Sequence, residues 1–192
     1  MLASIKTLDP SVVTMVDKTN ICLVGFMGTG KSTAGKIVAQ QLGKRYIETD
    51  AIIEEKAGKS IPEIFSEDGE LRFRELEIET IHEASSNVDT VFSLGGGAVL
   101  NQINVMYMRQ SSVIICLTAR PDVIFQRISN DGKEKRPLLA KDDPLQEIKK
   151  LLATRAPFYA AATDLIIETS DNDVDDIVAQ IINLYEEYKG SN

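Results

Sequence analysis

The sequence predicts a three-layer α/β sandwich around a mostly parallel sheet, and three observations predict it. Short apolar runs alternate with segments of helical spacing along the chain, the pattern of repeated strand–helix units. The first apolar run ends in a glycine-rich turn that opens directly into a helix. The longest apolar runs, such as Ser112–Leu117, are far too short to cross a bilayer, and 192 residues suit one compact domain.

Each element has its own warrant. Ile21–Val24 is a short apolar run ending at Gly25 and reads as a buried parallel strand. Lys31–Leu42 keeps helical spacing through Ile37, Val38 and Leu42, and Arg45–Ile47 is a brief second strand. Asp50–Lys56 and Ile61–Phe65 read as short helices. Glu70–Ala84 reads as a longer amphipathic one, with Phe73, Leu76, Thr80, Ile81 and Ala84 on one side. Thr90–Leu94 is a third strand, stopped by Gly95-Gly96-Gly97; Ser112–Leu117 is a fourth and Asp164–Ile167 a fifth. Pro121–Ile128 opens with proline at a first helical position. Leu145–Arg155 is helical until Pro157, which is expected to kink or end it. Val174, Ile177, Val178, Ile181, Ile182 and Tyr185 mark a last helix behind the acidic stretch Asp171–Asp176. Ser129–Lys135 reads as a polar surface loop. Residues 1–19 read as a flexible leader before a single domain over 20–187.

Composition narrows the function classes. Net charge is −8 with no basic stripe, so nucleic acid is not an expected partner, and any anionic ligand must be received by a few placed cations. Cys22 and Cys116 lie inside apolar runs and read as small buried hydrophobes of a reducing compartment. His82 is the sole histidine, which leaves no material for a histidine triad or a histidine-rich zinc site. The leader lacks the apolar segment of a secretory signal and is too acidic for a transit peptide, so the expected location is the cytoplasm. No heptad pattern or large apolar surface is visible, and a monomer away from membranes is expected.

The most specific motif is Gly25-Phe26-Met27-Gly28-Thr29-Gly30-Lys31-Ser32, which satisfies G-x-x-x-x-G-K-[ST] between a strand and a helix. Glycines let successive backbone N–H groups turn inward, and the helix N-terminus adds its positive end. Gly28, Thr29, Gly30, Lys31, Ser32 and Thr33 are therefore expected to hold ATP phosphates, with Lys31 on the β- and γ-phosphates and Ser32 on Mg²⁺. The third strand runs into glycines where motor ATPases carry an acid, and no guanine-reading N-K-x-D follows. A carboxylate assisting the metal must come from elsewhere, and Glu48 and Asp50 are nearest. These features favour a small-molecule kinase over a switch or a motor.

Further blocks stand in order along the chain: Glu48-Thr49-Asp50, Phe73-Arg74-Glu75-Leu76-Glu77, Gly95–Gly97, Arg136-Pro137-Leu138-Leu139 and Arg155-Ala156-Pro157-Phe158-Tyr159. With Gly25–Thr33, and over roughly Asn20 to Leu184, they resemble the shikimate kinase family. The resemblance implies a five-stranded parallel sheet in the order 2-3-1-4-5, as in nucleoside monophosphate kinases. It implies transfer of the γ-phosphoryl group of ATP to a hydroxyl of shikimate, giving shikimate 3-phosphate and ADP on the route to chorismate and the aromatic amino acids. Asp50 would receive shikimate hydroxyls, Arg74 and Arg155 would clamp its carboxylate, and the backbone at Gly95, Gly96 and Gly97 would close the pocket. Arg136 would reach the ATP phosphates from a mobile lid at about 129–142, and Arg127 would stack on adenine. Lys31, Asp50 and Arg136 are the expected catalytic groups. The family usually shows Asp-x-Asp where this chain has Glu48-Thr49-Asp50; Glu48 is expected to assist Mg²⁺ through water.

The residue chemistry is consistent with those roles. An aspartate has two acceptor oxygens, enough to hold adjacent hydroxyls and orient one for attack. Guanidinium forks match a carboxylate bidentately, which explains arginine at 74 and 155. Glu77 follows Arg74 by one helical turn and is placed to fix its rotamer. Phe65 and Phe73 are candidates for an apolar wall against a ring. The duller alternatives are a surface Arg74–Glu77 pair, an Asp50 that merely caps a helix, a plain glycine turn and a solvated Arg136. Two rival functions stand beside the kinase of shikimate: another small-molecule kinase, acting on gluconate or a nucleoside monophosphate, and a regulatory relative without catalysis.

Overall fold

The structure is a computed structural model and describes residues 18–130 and 142–191. Five parallel strands form one sheet: β1 (Asn20–Val24), β2 (Arg45–Glu48), β3 (Thr90–Ser93), β4 (Ser112–Thr118) and β5 (Leu165–Glu168), in the order β2-β3-β1-β4-β5. β1 lies between β3 and β4, and all of its residues are buried: Ile21–Val24 as an unbroken apolar run, and Asn20 through bonds to Asn87 O and from the Thr90 N–H.

Alternate residues of β1 enter two separate cores. Ile21 and Leu23 pack with Val38 of α1 (Lys31–Gln41) and with Ile177, Ile181 and Tyr185 of α8 (Val174–Ser191). Cys22 and Val24 face the other way. They meet Ile81 of α4 (Gly69–Ala84), Met108 of α5 (Gln102–Arg109) and Tyr159 and Ala162 of α7 (Pro144–Ala162). The period of two along the strand thus divides the molecule into helix, sheet and helix layers. Full burial of one such aliphatic side chain contributes about 1.5–3 kcal/mol, so each face has a strong hold on its helices.

Two smaller clusters sit at the C-terminal edge of the sheet. Phe26, Ala119, Ile124, Ile128 and Ile148 tie α6 (Pro121–Asn130) to α7. Ile53, Ile64, Phe73 and Leu76 join α4 to α2 (Thr49–Ala57) and to the turn α3 (Ile61–Glu63), which runs on into a π-helical turn at Ile64–Asp68. Ser60 caps α3 with a reciprocal pair of bonds to Glu63.

Several boundaries differ from the sequence expectation. The helix carrying Pro157 is neither ended nor divided there, because α7 continues to Ala162, with Tyr159 and Ala162 buried against the second core. Burial of that last turn outweighs the one backbone bond that proline removes. α6 extends through Ser129 and Asn130, so the expected loop does not begin at Ser129. The 3₁₀ turn Ala98–Leu100 and all of α5 fall where no element is predicted. Residues 131–141 of the expected lid, with Arg136, lie outside the described residues, as does the leader up to residue 17.

Candidate active site

The turn Gly25–Gly30 leaves β1 at the C-terminal edge of the sheet and enters α1. Gly25 has φ +138°, and a Cβ there would stand 2.2 Å from the Leu117 carbonyl of β4, so only glycine fits where the turn leaves the sheet. Lys31 Nζ donates to the Gly25 and Phe26 carbonyls, both at 2.9 Å, and curls the turn around its own lysine. No acidic side chain occupies the first turn of α1, which leaves the positive helix end facing the cradle unopposed. Arg127 of α6 donates to Gly28 O at 3.3 Å, Thr169 Oγ1 at 3.0 Å and Thr169 O at 2.6 Å, stapling the turn to the segment after β5. The cradle forms one wall of a cleft of about 510 Å³, whose lining includes Lys31, Ser32, Glu48, Asp50, Gly96 and Arg127.

Across the cradle, Ser32 Oγ donates to Glu48 Oε1 at the end of β2. Tyr46, two residues earlier on the same strand, turns its hydroxyl away from solvent. That hydroxyl has no hydrogen-bond partner among the described residues; burial raises its pKa most, Ser93 and Ser32 pull it back, and the charge of Glu48 pushes it up. Thr49 is fully buried between the two acids. Its Oγ1 bridges Ser93 O at 3.4 Å and the Gly95 N–H at 3.3 Å, so the Glu48–Asp50 segment is tied to the triple-glycine turn.

Asp50 lies in the first turn of α2, and that helix start has no side-chain cap, so Asp50 is not a capping residue. Burial raises the Asp50 pKa; Lys31 pulls it back, Glu48 and Glu54 push it further up, and Arg74 pulls it down. The three glycines bring the pieces together by close approach. A Cβ on Gly95 would stand 2.5 Å from Asp50 Oδ1, and a Cβ on Gly97 would stand 2.9 Å from Arg74 Nη1. Arg74 Nη1 in turn donates to Glu77 Oε2 at 2.9 Å, while its Nε and Nη2 reach Glu70 at 3.3 and 3.2 Å. Glu77 is 1% exposed, and burial raises its pKa against the pull of Arg74. The Asn104 amide donates to Ala98 O at 3.0 Å and to Glu77 at 3.5 Å, linking α5 to the same carboxylate. From the opposite side, Arg155 Nη1 donates to Gly96 O at 3.4 Å, and its guanidinium lies 5.4 Å from the centre of the Phe26 ring.

A half-buried aspartate, two guanidinium groups and a turn of three glycines therefore meet beside a phosphate cradle. The family model for shikimate kinase matches residues 27–186. The shikimate kinase of Caldanaerobacter subterraneus subsp. tengcongensis is 45% identical over 171 residues, covering 89% of this chain and 98% of that one. The chain belongs to the shikimate kinase family. A solved shikimate kinase from Acinetobacter baumannii, in complex with shikimate, superposes with TM-score 0.84 at 34% identity, covering 91% of this chain and 97% of that one. A gluconokinase from Sinorhizobium meliloti matches at TM-score 0.54 and 17% identity, a likeness of fold alone. Membership in the shikimate kinase family makes the chain an ATP-dependent phosphotransferase acting on an alcohol, and the sheet order agrees with that expected from the resemblance.

Of the residues singled out from the sequence, Gly28, Gly30, Lys31, Ser32, Thr33, Glu48, Asp50, Gly96 and Arg127 line the cleft. Thr29 is fully buried beneath it, with its hydroxyl on Phe26 O at 2.8 Å. Gly95, Gly97, Arg74 and Arg155 stand just past this lining and join it through the glycine turn. Phe65 and Phe73 do not line the cleft. Phe73 belongs to the small core with Ile53 and Ile64, and Phe65, 39% exposed, packs on it at 4.7 Å between ring centres. Sequence reasoning missed Tyr46, Asn104 and Thr169, whose places depend on elements distant in the chain, and Asn172, which lines the cleft and donates to Glu168 O at 2.7 Å. It also missed the role of Thr49, although that residue sits inside a recognised block.

Proposed function

We propose that this chain transfers the γ-phosphoryl group of ATP to a ring hydroxyl of shikimate, giving shikimate 3-phosphate and ADP. The observation that carries the reading is the convergence of Asp50, Arg74 and Arg155 on Gly95–Gly97 at the edge of the phosphate cradle. Two guanidinium groups suit a carboxylate, and one half-buried aspartate suits vicinal hydroxyls. Gluconate is an open chain and a nucleoside monophosphate carries no carboxylate, so neither offers a ring that bears both a carboxylate and hydroxyls.

In this reading Gly28–Thr33 cradle the ATP phosphates and Lys31 exchanges its carbonyl partners for phosphate oxygens. Asp50 aligns the attacking hydroxyl and takes its proton, helped by the burial that raises its pKa. Arg136, outside the described residues, approaches the phosphates from the lid. Phosphoryl transfer asks the protein chiefly for alignment and charge neutralisation, which these groups supply. The donor set fits Mg²⁺. Ser32 and Glu48 offer a hydroxyl and a carboxylate already in contact, both hard oxygen donors, and Mg²⁺ needs only one or two protein carboxylates beside the phosphates. When bound there the ion neutralises phosphate charge. The same reading keeps a monomer in the cytoplasm that binds neither nucleic acid nor membrane; the net charge of −8 supports the nucleic-acid part.

The test is ADP release coupled to pyruvate kinase and lactate dehydrogenase, with and without shikimate. ADP release that depends on shikimate, with gluconate and nucleoside monophosphates inert, is expected. Equal release in its absence, or equal use of gluconate, would refute the assignment.

A further inference from the structure

Two side chains of α7 converge on one carbonyl in the triple-glycine turn, and only one of them has been given a task. Tyr159 Oη donates to Gly96 O at 2.6 Å, and Arg155 Nη1 donates to the same oxygen at the longer 3.4 Å. The two residues are four apart and therefore share a helix face, but only because α7 runs on through Pro157. Tyr159 is 8% exposed, and its ring packs in the core behind the sheet, so its hydroxyl is aimed from a fixed base. We propose that Tyr159 is a positioning residue of the acceptor pocket, which holds the Gly96–Gly97 peptide in place and thereby frees Arg155 to engage the acceptor carboxylate.

The geometry leads there in three steps. The Gly96–Gly97 peptide is trans and planar, so fixing the carbonyl of Gly96 also fixes the direction of the Gly97 N–H, which points the opposite way. That N–H makes no hydrogen bond to another described residue, and Gly97 Cα borders the Arg74 guanidinium. One rigid peptide unit thus has Arg155 and Tyr159 at its oxygen and Arg74 beside its nitrogen end. Second, Arg155 reaches Gly96 O through Nη1 alone and at a long 3.4 Å, so turning its fork squarely onto an acceptor carboxylate gives up that contact first. When it turns to the carboxylate, Gly96 O keeps a partner only if Tyr159 stays. Third, burial pushes the Tyr159 pKa up to about 12, so the hydroxyl remains a donor throughout the working range of pH.

Without the hydroxyl, Arg155 becomes the remaining donor seen at Gly96 O, and acceptor binding has to pull it away. The loss should therefore fall on the carboxylate end of the acceptor and on binding, not on phosphoryl transfer. This inference rests on the reading of shikimate as acceptor, and the experiment separates the two.

Calorimetric titration of shikimate into the full chain, wild type and Tyr159→Phe, reads the effect directly. The Phe variant should raise the Kd for shikimate about five- to tenfold, the size of one hydrogen bond, with kcat within about twofold and the KM for ATP unchanged. The cyclohexene triol that lacks the carboxylate should bind both proteins equally. In an Arg155→Ala background, Tyr159→Phe should add little, since the competition it relieves is already gone. An equal loss for shikimate and the carboxyl-free triol would assign Tyr159 a general structural role and overturn the proposal. So would additive effects in the double variant, an unchanged Kd for shikimate, or a Phe variant that does not fold. A wild-type chain that neither binds nor phosphorylates shikimate would bring down the acceptor reading and this inference together. A wild type that works beside an unaffected Phe variant would bring down the inference alone.

Discussion

Replacing Gly97 by alanine should weaken acceptor binding while leaving the fold intact. Gly97 has φ −101° and ψ −6°, a conformation open to alanine, so the backbone has no need of glycine there. What needs glycine is Arg74. The new Cβ would stand 2.9 Å from Nη1, 3.0 Å from Nη2 and 3.3 Å from Cζ, where ordinary contact begins at 3.4 Å. The guanidinium must therefore retreat by about 0.5 Å, the difference between 3.4 and 2.9 Å. Its bond to Glu77 is 2.9 Å long, and such a retreat takes it out of the range of a strong charge-assisted contact. A hydrogen bond to a charged group contributes about 1.5–3 kcal/mol, and the 25% exposure of the Arg74 side chain argues for the lower half of that range. The expected result is a fall of about ten- to fortyfold in kcat/KM for shikimate, with the KM for ATP unchanged. Replacing glycine where alanine fits gains about 0.4–1 kcal/mol through the unfolded chain, which offsets part of the local loss, so the melting temperature should stay within about 4 °C. Steady-state kinetics with shikimate varied at saturating ATP, together with calorimetric melting, measure both effects. An unchanged KM for shikimate, or parallel losses for both substrates, would show that Gly97 does not make room for the clamp.

Two further perturbations test neighbouring groups. Burial raises the Asp50 pKa, so the fold prefers the protonated form; the associated stability is complete below the unfolded value of 3.8 and is lost as pH rises through the folded one. Asp50→Asn should therefore melt above the wild type at neutral pH, with the gap closing in acid, while turnover collapses; an Asn variant that melts lower at neutral pH would contradict this. Glu48→Gln should raise several-fold the Mg²⁺ concentration needed for half-maximal rate, and Glu48→Asp should keep most activity. A Mg²⁺ titration of the Gln variant that overlays the wild type would reduce Glu48 to a bystander of Ser32.

Much of the site was legible because its chemistry is local in the chain. The cradle is a contiguous motif, and the one-turn spacing of Arg74 and Glu77 foretells their contact at 2.9 Å. The strand pattern, together with the resemblance, anticipates the order of the sheet. What stayed hidden depends on distant partners. Thr169 is tied to Arg127 across 42 positions and Tyr159 to Gly96 across 63, and neither separation leaves a periodic trace. Pro157 misled for the same reason. Its local rule predicts a kink or an end, and only the second core, which buries Tyr159 and Ala162, shows why the helix does not end. Phe65 and Phe73 misled in the opposite direction, since aromatic residues near a ring-binding site attract a functional reading that burial in a small core satisfies instead.

The path from β2 to β3 has a consequence for how such an enzyme changes over generations. These strands are neighbours in the sheet, so the chain between Thr49 and Asn87 leaves and returns at almost the same place, with its own compact nucleus of Ile53, Ile64, Phe73 and Leu76. It presents Asp50 and Arg74 to the glycine turn, while Lys31, Ser32 and Arg127 belong to the other side of the cleft. A change of acceptor can draw on this excursion while the phosphate machinery stays in place, although Arg155 on α7 would have to change with it. The excursion's freedom is narrowest at Gly95 and Gly97, where a single methyl group would displace the Asp50 carboxylate or the Arg74 guanidinium from its present place.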